Sequence, residues 1–334
     1  MTMKNVKTII KLLFVIAIVP MLDSCYFRPL DYSYDNRAEL TFIVDWSETG
    51  IDPNGLTISV YPTDGESSVI TKLSHSDTTT VMVPMGTYNI LVMNETFEDF
   101  DYIRFNNQRS FDNIEAKVKG SSQTGAGVTV SGDPDKFAYK TIENFEVTHE
   151  MLRKSRIKTP GKLVDELTVY VTPQNAVYPV KVVAVVEGID KVASAGAYIT
   201  GFSDGVHIAS YTTSQTPTIQ KVTFTNREFD DGSTKNGRLR GEFTSFGLRG
   251  KTKADLQLDG YLFDFRAVLV DGQNFTETRP INTRIVEVGE GREYYIEIRV
   301  GFENDPIVIP DVHGTGGWNV EVGDWEEVII PIIF

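Results

Sequence analysis

TVMVPMGTYNILVMN, residues 80–94, is the stretch whose reading decides the fold. Thr79–Val83 and Tyr88–Asn94 are rich in β-branched and aromatic residues and read as two strands. Between them, Pro84 presets its own φ and Gly86 is free to take a positive one, so the step is expected to reverse the chain. The same grammar continues on both sides. Leu40–Trp46 and Leu56–Tyr61 precede it, and Leu163–Thr172, Tyr178–Val186, Lys221–Asn226, Arg238–Phe246, Asp259–Val270 and Glu293–Val300 follow. Asp271-Gly272 is a two-residue hairpin signal joining Phe263–Val270 to Phe275–Arg279. Short strands between Gly, Asn, Asp and Pro turns, without long 3.6-residue periodicity or a fixed repeat, define an all-β chain and favour β-sandwiches. The apolar run Tyr178–Val186 is short enough to be compatible with a helix as well.

Organisation follows from the interruptions. After Glu143 the chain turns charged, passes through Arg153-Lys154-Ser155-Arg156-Ile157-Lys158, which reads as a solvated linker, and reaches Pro160-Gly161 before strands resume. The expected division is residues 1–24 as a signal segment, 25–38 as a leader, 39–150 as a first β-sandwich, 151–163 as a linker, 164–310 as a second β-sandwich and 311–334 as a C-terminal strand extension. Lys and Arg number 32 against 46 Asp and Glu, a net charge of −14, so a nucleic acid is excluded as the expected partner.

Lys4, Lys7 and Lys11 form a basic n-region before the apolar run Leu12–Val19, the pattern of a secretory signal. That run is well short of the roughly 20 apolar residues that span a bilayer as a helix. It is followed by Leu22-Asp23-Ser24-Cys25, which contains the single cysteine of the chain. One thiol can form no internal disulfide, no CxxC pair and no thiolate zinc cluster. The four residues resemble the lipobox of bacterial lipoproteins, although Asp23 stands where a small or apolar residue is usual. The resemblance implies cleavage before Cys25 and a covalent lipid on its thiol and new amino terminus. No other cofactor is expected. Two acyl chains suffice for stable anchoring, so a lipidated Cys25 would hold an otherwise water-soluble body on a membrane.

Catalytic and metal motifs are absent from the sequence. His75, His149, His207 and His313 have no H-x-x-x-H or H-E-x-x-H spacing, and Asp133-Pro134-Asp135, Asp230-Asp231-Gly232 and Glu98-Asp99 with Asp101 lack the ligand spacing of an EF-hand. Asp230-Asp231-Gly232-Ser233 fits a hairpin turn instead. Gly314-Thr315-Gly316-Gly317 lacks the lysine of a phosphate loop, and there is no Gly-x-Ser-x-Gly elbow. No metal site and no enzymatic activity are expected.

The 80–94 stretch, a strand, a Pro-x-Gly-Thr-Tyr turn and a strand ending in asparagine, resembles the signature hairpin in the first domain of Bacteroidales fimbrillin-like lipoproteins. Gly316–Val328, with Val44-Asp45-Trp46, is similar to a set of uncharacterised Bacteroides lipoproteins of like length. The resemblance implies two tandem transthyretin-like β-sandwich domains after a lipoprotein signal peptide. It also implies an outer-membrane lipoprotein that anchors or caps a fimbria-like assembly by β-strand pairing, with a fimbrial subunit or another envelope protein as partner. Surface-facing attachment is the expected location, although no acidic run follows Cys25. Shaft subunits of that family are trimmed at a basic residue, a role Arg37 could fill here. At the other end, Val328-Ile329-Ile330-Pro331-Ile332-Ile333-Phe334 is too apolar to leave in water. Val328, Ile330, Ile332 and Phe334 then either complete the chain's own second domain or form a strand for exchange, where alternate side chains fill pockets. The alternative function is a surface glycan-binding lipoprotein that stacks sugars on exposed aromatics, with Trp46, Trp318 and Trp325 as candidates and core packing as their competing role.

Overall fold

A computed structural model describes residues 36–311, apart from 66–68, 76, 124–128, 158–161, 250–260, 282–285 and 289–294. Among the described residues the strands form five sheets. In the first, β1 (Arg37–Val44) lies between β4 (Thr78–Pro84), antiparallel, and β11 (Thr168–Val171), parallel. Facing it is a five-stranded sheet in the order β12 (Gln174–Asn175), β10 (Ala138–Val147), β5 (Gly86–Asn94), β2 (Leu56–Pro62) and β3 (Ile70–Ser74). Leu40 and Phe42 of β1, Val81 and Val83 of β4, Ile58 and Val60 of β2 and Ile90 and Val92 of β5 interlock between these layers.

Residues 80–94 do not form the hairpin expected from their sequence. Their two strands are not paired with each other: β4 pairs with β1, whereas β5 pairs with β2 and β10. The Pro84–Gly86 step is therefore a corner that carries the chain from one layer to the other. Gly86 has φ 155°, which a side chain disfavours, and Tyr88 Oη donates to Pro84 O at 3.1 Å across the corner. The unbroken apolar run of β5 follows from its position. Ile90 and Val92 point into the first core while Leu91 and Met93 point into a second one on the opposite face.

That second core is closed by a four-stranded sheet in the order β16 (Thr212–Thr213), β15 (Gly205–His207), β7 (Glu115–Val118) and β6 (Ile103–Asn106). Phe100, Phe105 and Phe137 meet edge-on or tilted, with ring centroids 5.4–5.5 Å apart, and Tyr139 stacks on Tyr211 at 4.9 Å. The fourth and fifth sheets face each other across a third core. One runs β21 (Asn274–Ile281), β20 (Tyr261–Leu269), β14 (Val192–Ser203), β17 (Pro217–Thr223), β9 (Thr129–Ser131) and β8 (Gly120–Gln123). The other runs β18 (Asn226–Phe229), β19 (Asn236–Ser245), β13 (Tyr178–Glu187), β23 (Tyr295–Val300) and β22 (Val286–Val288), with β24 (Ile307–Val308) parallel to the far end of β13. Val182, Ala184, Ile199, Phe263, Phe265 and Ile298 fill the space between them.

Pairing crosses the middle of the chain in both directions. β11 and β12 follow residue 164 yet join the first pair of layers, while β8 and β9 precede it and join the sheet of β17. The basic run read as a solvated linker is largely a helix, α1 (His149–Ile157). Thr148 Oγ1 accepts from Met151 N at 3.3 Å as its N-cap, Glu150 lies in the first turn, and Lys154 and Arg156 in the last, each favourable to the helix dipole. Leu152 is its buried anchor in the first core. Nine residues with one buried apolar position leave too short a period to read. The hairpin expected at Asp271-Gly272 is present: β20 pairs with β21 and Gly272 takes φ 83°.

One consequence is a loss of stability in alkali. Tyr61 is 3% exposed, its hydroxyl donates to Gln108 O at 3.0 Å, and burial pushes its pKa up to about 12. The neutral form is favoured in the fold, so this contribution is complete below the unfolded value near 10 and is lost as pH rises towards 12. Across that window the loss is about 3 kcal/mol. Urea denaturation at pH 9, 10 and 11 should show the decline beginning above pH 10, with a Tyr61→Phe variant losing less.

Candidate functional site

Strand order places the candidate docking sites. A strand at the end of a sheet exposes backbone donors and acceptors on one side, and proteins normally blunt such edges with charge, proline or brevity. Among the described residues, two terminal strands exceed six residues: β21 and β4. β21 carries Glu277, Arg279 and Pro280, and Arg279 donates to the carbonyl oxygens of Asp305 and Pro306 at 2.8 and 2.7 Å, which ties that edge to a neighbouring turn.

β4 is different. Its sequence, Thr-Thr-Thr-Val-Met-Val-Pro, has no charged residue, and β1 is the one strand that pairs with it among the described residues. Thr79, Val81 and Val83 point inward while Thr80 and Met82 face out. Val44 N donates to Asp77 O at 2.8 Å and Met85 N to Asn36 O at 3.2 Å. These bonds bracket the ladder and put the narrow pairs at Phe42 with Thr79, Leu40 with Val81 and Ala38 with Val83. The N–H and C=O groups of Thr80 and Met82 thus point away from β1. Met82 and Met85, 38% and 48% exposed, supply adaptable apolar side chains beside that edge.

A groove of about 490 Å³ lies on the outer face of the sheet containing β13. Val183 and Val185 form its floor. Arg240 and Arg299 flank Val183 in cross-strand register, and Arg238 flanks Val185. At one end Gly301, with φ 77°, turns the chain into a tight loop in which Phe302 N donates to Asp305 O at 3.1 Å, and Phe302 is left 56% exposed on the rim. Arg240 holds Glu228 at 2.9 Å, Arg238 holds Asp230 at 2.9 Å, and Arg299 pairs with Glu297.

The structure answers several expectations from the sequence. Trp46 is 6% exposed in the first core and cannot serve as a sugar platform. Asp230–Ser233 forms the turn between β18 and β19, with Gly232 at φ 72° and Ser233 N donating to Asp230 O at 2.9 Å. His75 and His207 have separate partners, Asn54 O at 3.0 Å and Glu115 at 3.1 Å. Among the described residues, no group of three or more His, Cys, Asp or Glu side chains is placed to hold a metal. Asp264 is the one buried carboxylate among them, and it is engaged by Arg266 and Thr278. Leu22, Asp23, Ser24, Cys25, His313, Trp318, Trp325, Val328, Ile330, Ile332 and Phe334 lie outside the described residues. The groove was missed in sequence. Arg238 and Arg240 share a face by strand spacing, but Arg299 comes from a distant strand whose neighbour could not be read.

The profile of a family described as a domain of unknown function (DUF5119) matches residues 24–224, more than half of the chain. No curated protein sequence matches it. In fold, the chain is similar to a candidate adhesin from Bacteroides ovatus, with TM-score 0.57 and 16% identity over 85% of this chain and 97% of that one. A looser likeness links it to the fimbrial anchor protein Mfa2 from Porphyromonas gingivalis, with TM-score 0.45 and 9% identity over 79% of this chain and 89% of that one.

Proposed function

The chain belongs to the DUF5119 family, and from that premise we propose that it is a non-enzymatic outer-membrane lipoprotein that anchors or caps a fimbria-like surface assembly by β-strand pairing. The observation that carries the reading is the long, uncharged edge of β4, which pairs with a strand on one side alone among the described residues. A strand added there gains main-chain hydrogen bonds, and its alternate side chains gain Met82 and Met85. The similarity of fold to the Bacteroides ovatus candidate adhesin is consistent with a role at the cell surface. In this reading the facing layers are transthyretin-like sandwiches, Cys25 carries the lipid after the Leu22-Asp23-Ser24 lipobox, and Val328, Ile330, Ile332 and Phe334 are the segment available for exchange.

A cut after Arg37, the first residue of β1, would leave Ala38–Val44 in the fold, with Leu40 and Phe42 fully buried, so trimming there would not remove this strand.

The test compares wild type with Cys25→Ala in intact cells by membrane fractionation, surface proteolysis and co-purification. Wild type should be membrane-bound, protease-accessible and retain a β-rich protein subunit, while the variant should shift almost wholly to the soluble fraction. A variant that stays on the membrane would remove the lipid anchor. A wild type shielded from protease, or recovered without a protein partner, would remove the assembly role.

A further inference from the structure

We propose that the groove over β13 is a binding subsite for an uncharged saccharide. Its construction combines an apolar floor, an aromatic rim and a ring of planar polar side chains. Val183 and Val185 offer the floor, and Phe302 stands at the rim where the C–H face of a sugar ring could pack against it. Arg238, Arg240 and Asn304 supply donors, while Glu303 and the amide oxygen of Asn304 supply acceptors, which matches the paired hydroxyls of a pyranose edge.

Charge decides against an anion. Arg240 is held by Glu228, Arg238 by Asp230 and more loosely by Glu303 at 3.9 Å, and Arg299 by Glu297, so each guanidinium already faces a carboxylate. The chain as a whole carries −14, which disfavours a polyanion further. The pairs still leave directional donors. Nη1 of Arg240, and Nε and Nη2 of Arg238, make no hydrogen bond to a described residue. Backbone pairing decides against a peptide strand, because β13 is bonded to β19 on one side and to β23 and β24 on the other. The floor therefore offers side chains alone, whereas an extended peptide would need main-chain partners. This site is separate from the β4 edge and does not depend on the assembly role.

The full chain, exposed to an array of neutral and acidic glycans, should bind neutral members, and calorimetric titration of the best of these gives its affinity. Phe302→Ala and Arg240→Gln should each weaken binding at least tenfold, while raising salt from about 0.1 to 0.5 M should change it less than twofold. Both side chains are exposed, so circular dichroism and the denaturation midpoint of the variants should match wild type. Binding restricted to acidic glycans, a steep loss with salt, unchanged affinity in both variants, or no glycan bound above background would each overturn the assignment.

Discussion

Replacement of Gly205 by valine is expected to destabilise the protein by about 3 kcal/mol, the upper part of the range for overpacking a closed site. A Cβ at this position would stand 2.2 Å from Ala116 O and 2.8 Å from Lys117 Cγ, both on the neighbouring strand β7. Nothing nearby can give way cheaply. The first obstacle is backbone, and Gly205 is itself fixed: Ser203 Oγ donates to its carbonyl oxygen at 2.7 Å and Ser214 N donates to it at 2.9 Å. Moving β15 away from β7 would also lift Val206 and Ile208 out of the core they share with Phe111, Ile114 and Ala116. Urea denaturation of Gly205→Val against wild type measures the loss. A change below about 1 kcal/mol would mean that the strand pair yields easily. The expected effect is large because β15 and β7 come from opposite halves of the chain and join them in one ladder. Thr141 N and Thr141 Oγ1 both meet Tyr211 Oη, at 2.8 and 2.9 Å, and Thr244 Oγ1 donates to Pro134 O at 2.7 Å, which fastens the same junction.

That junction joins segments far apart in the chain, a pairing that no local sequence pattern records. Strand identity was legible from composition and turns: Tyr178–Val186 is a strand within β13, the Asp271-Gly272 hairpin is present, and the all-β class holds. Partnership was not. The apolar alternation of Val81, Met82 and Val83 fits any half-buried strand, and nothing in it says that β4 turns to β1 and not to β5. A corner and a hairpin use the same residues, proline for a fixed φ and glycine for an unusual one. Parallel additions such as β11 on β1 are likewise silent, because the link between them is 123 residues of other structure in which no local signal records the return. Trp46 shows a different limit. Its place at the end of an alternating run suited both burial and display, and the packing of Leu40, Val44 and Leu152 around the same core decides for burial. The candidate edge shares the difficulty. An uncharged strand is visible in sequence, but that only one of its sides is paired among the described residues depends on the whole sheet.

The second large effect concerns that edge. Thr80 lies opposite Thr41 in the wide-pair position of the β1–β4 ladder, and its side chain is exposed. Proline there removes an N–H that β1 does not use and places a ring on the side where an added strand would bond. Stability should change by no more than about 1 kcal/mol, the scale of strand propensity differences. Docking should fall to background, because an incoming strand would lose a hydrogen bond and meet the ring. Val81→Pro provides the contrast. Val81 is buried and in a narrow pair with Leu40, so the same residue one position along should break the ladder and unfold the first layers. The direct measurement is therefore the amount of protein partner that co-purifies with membrane-bound Thr80→Pro, once its denaturation midpoint has been matched to wild type. A folded, membrane-bound variant that retains no partner is the predicted result. Partner recovery at the wild-type level would contradict strand pairing at β4.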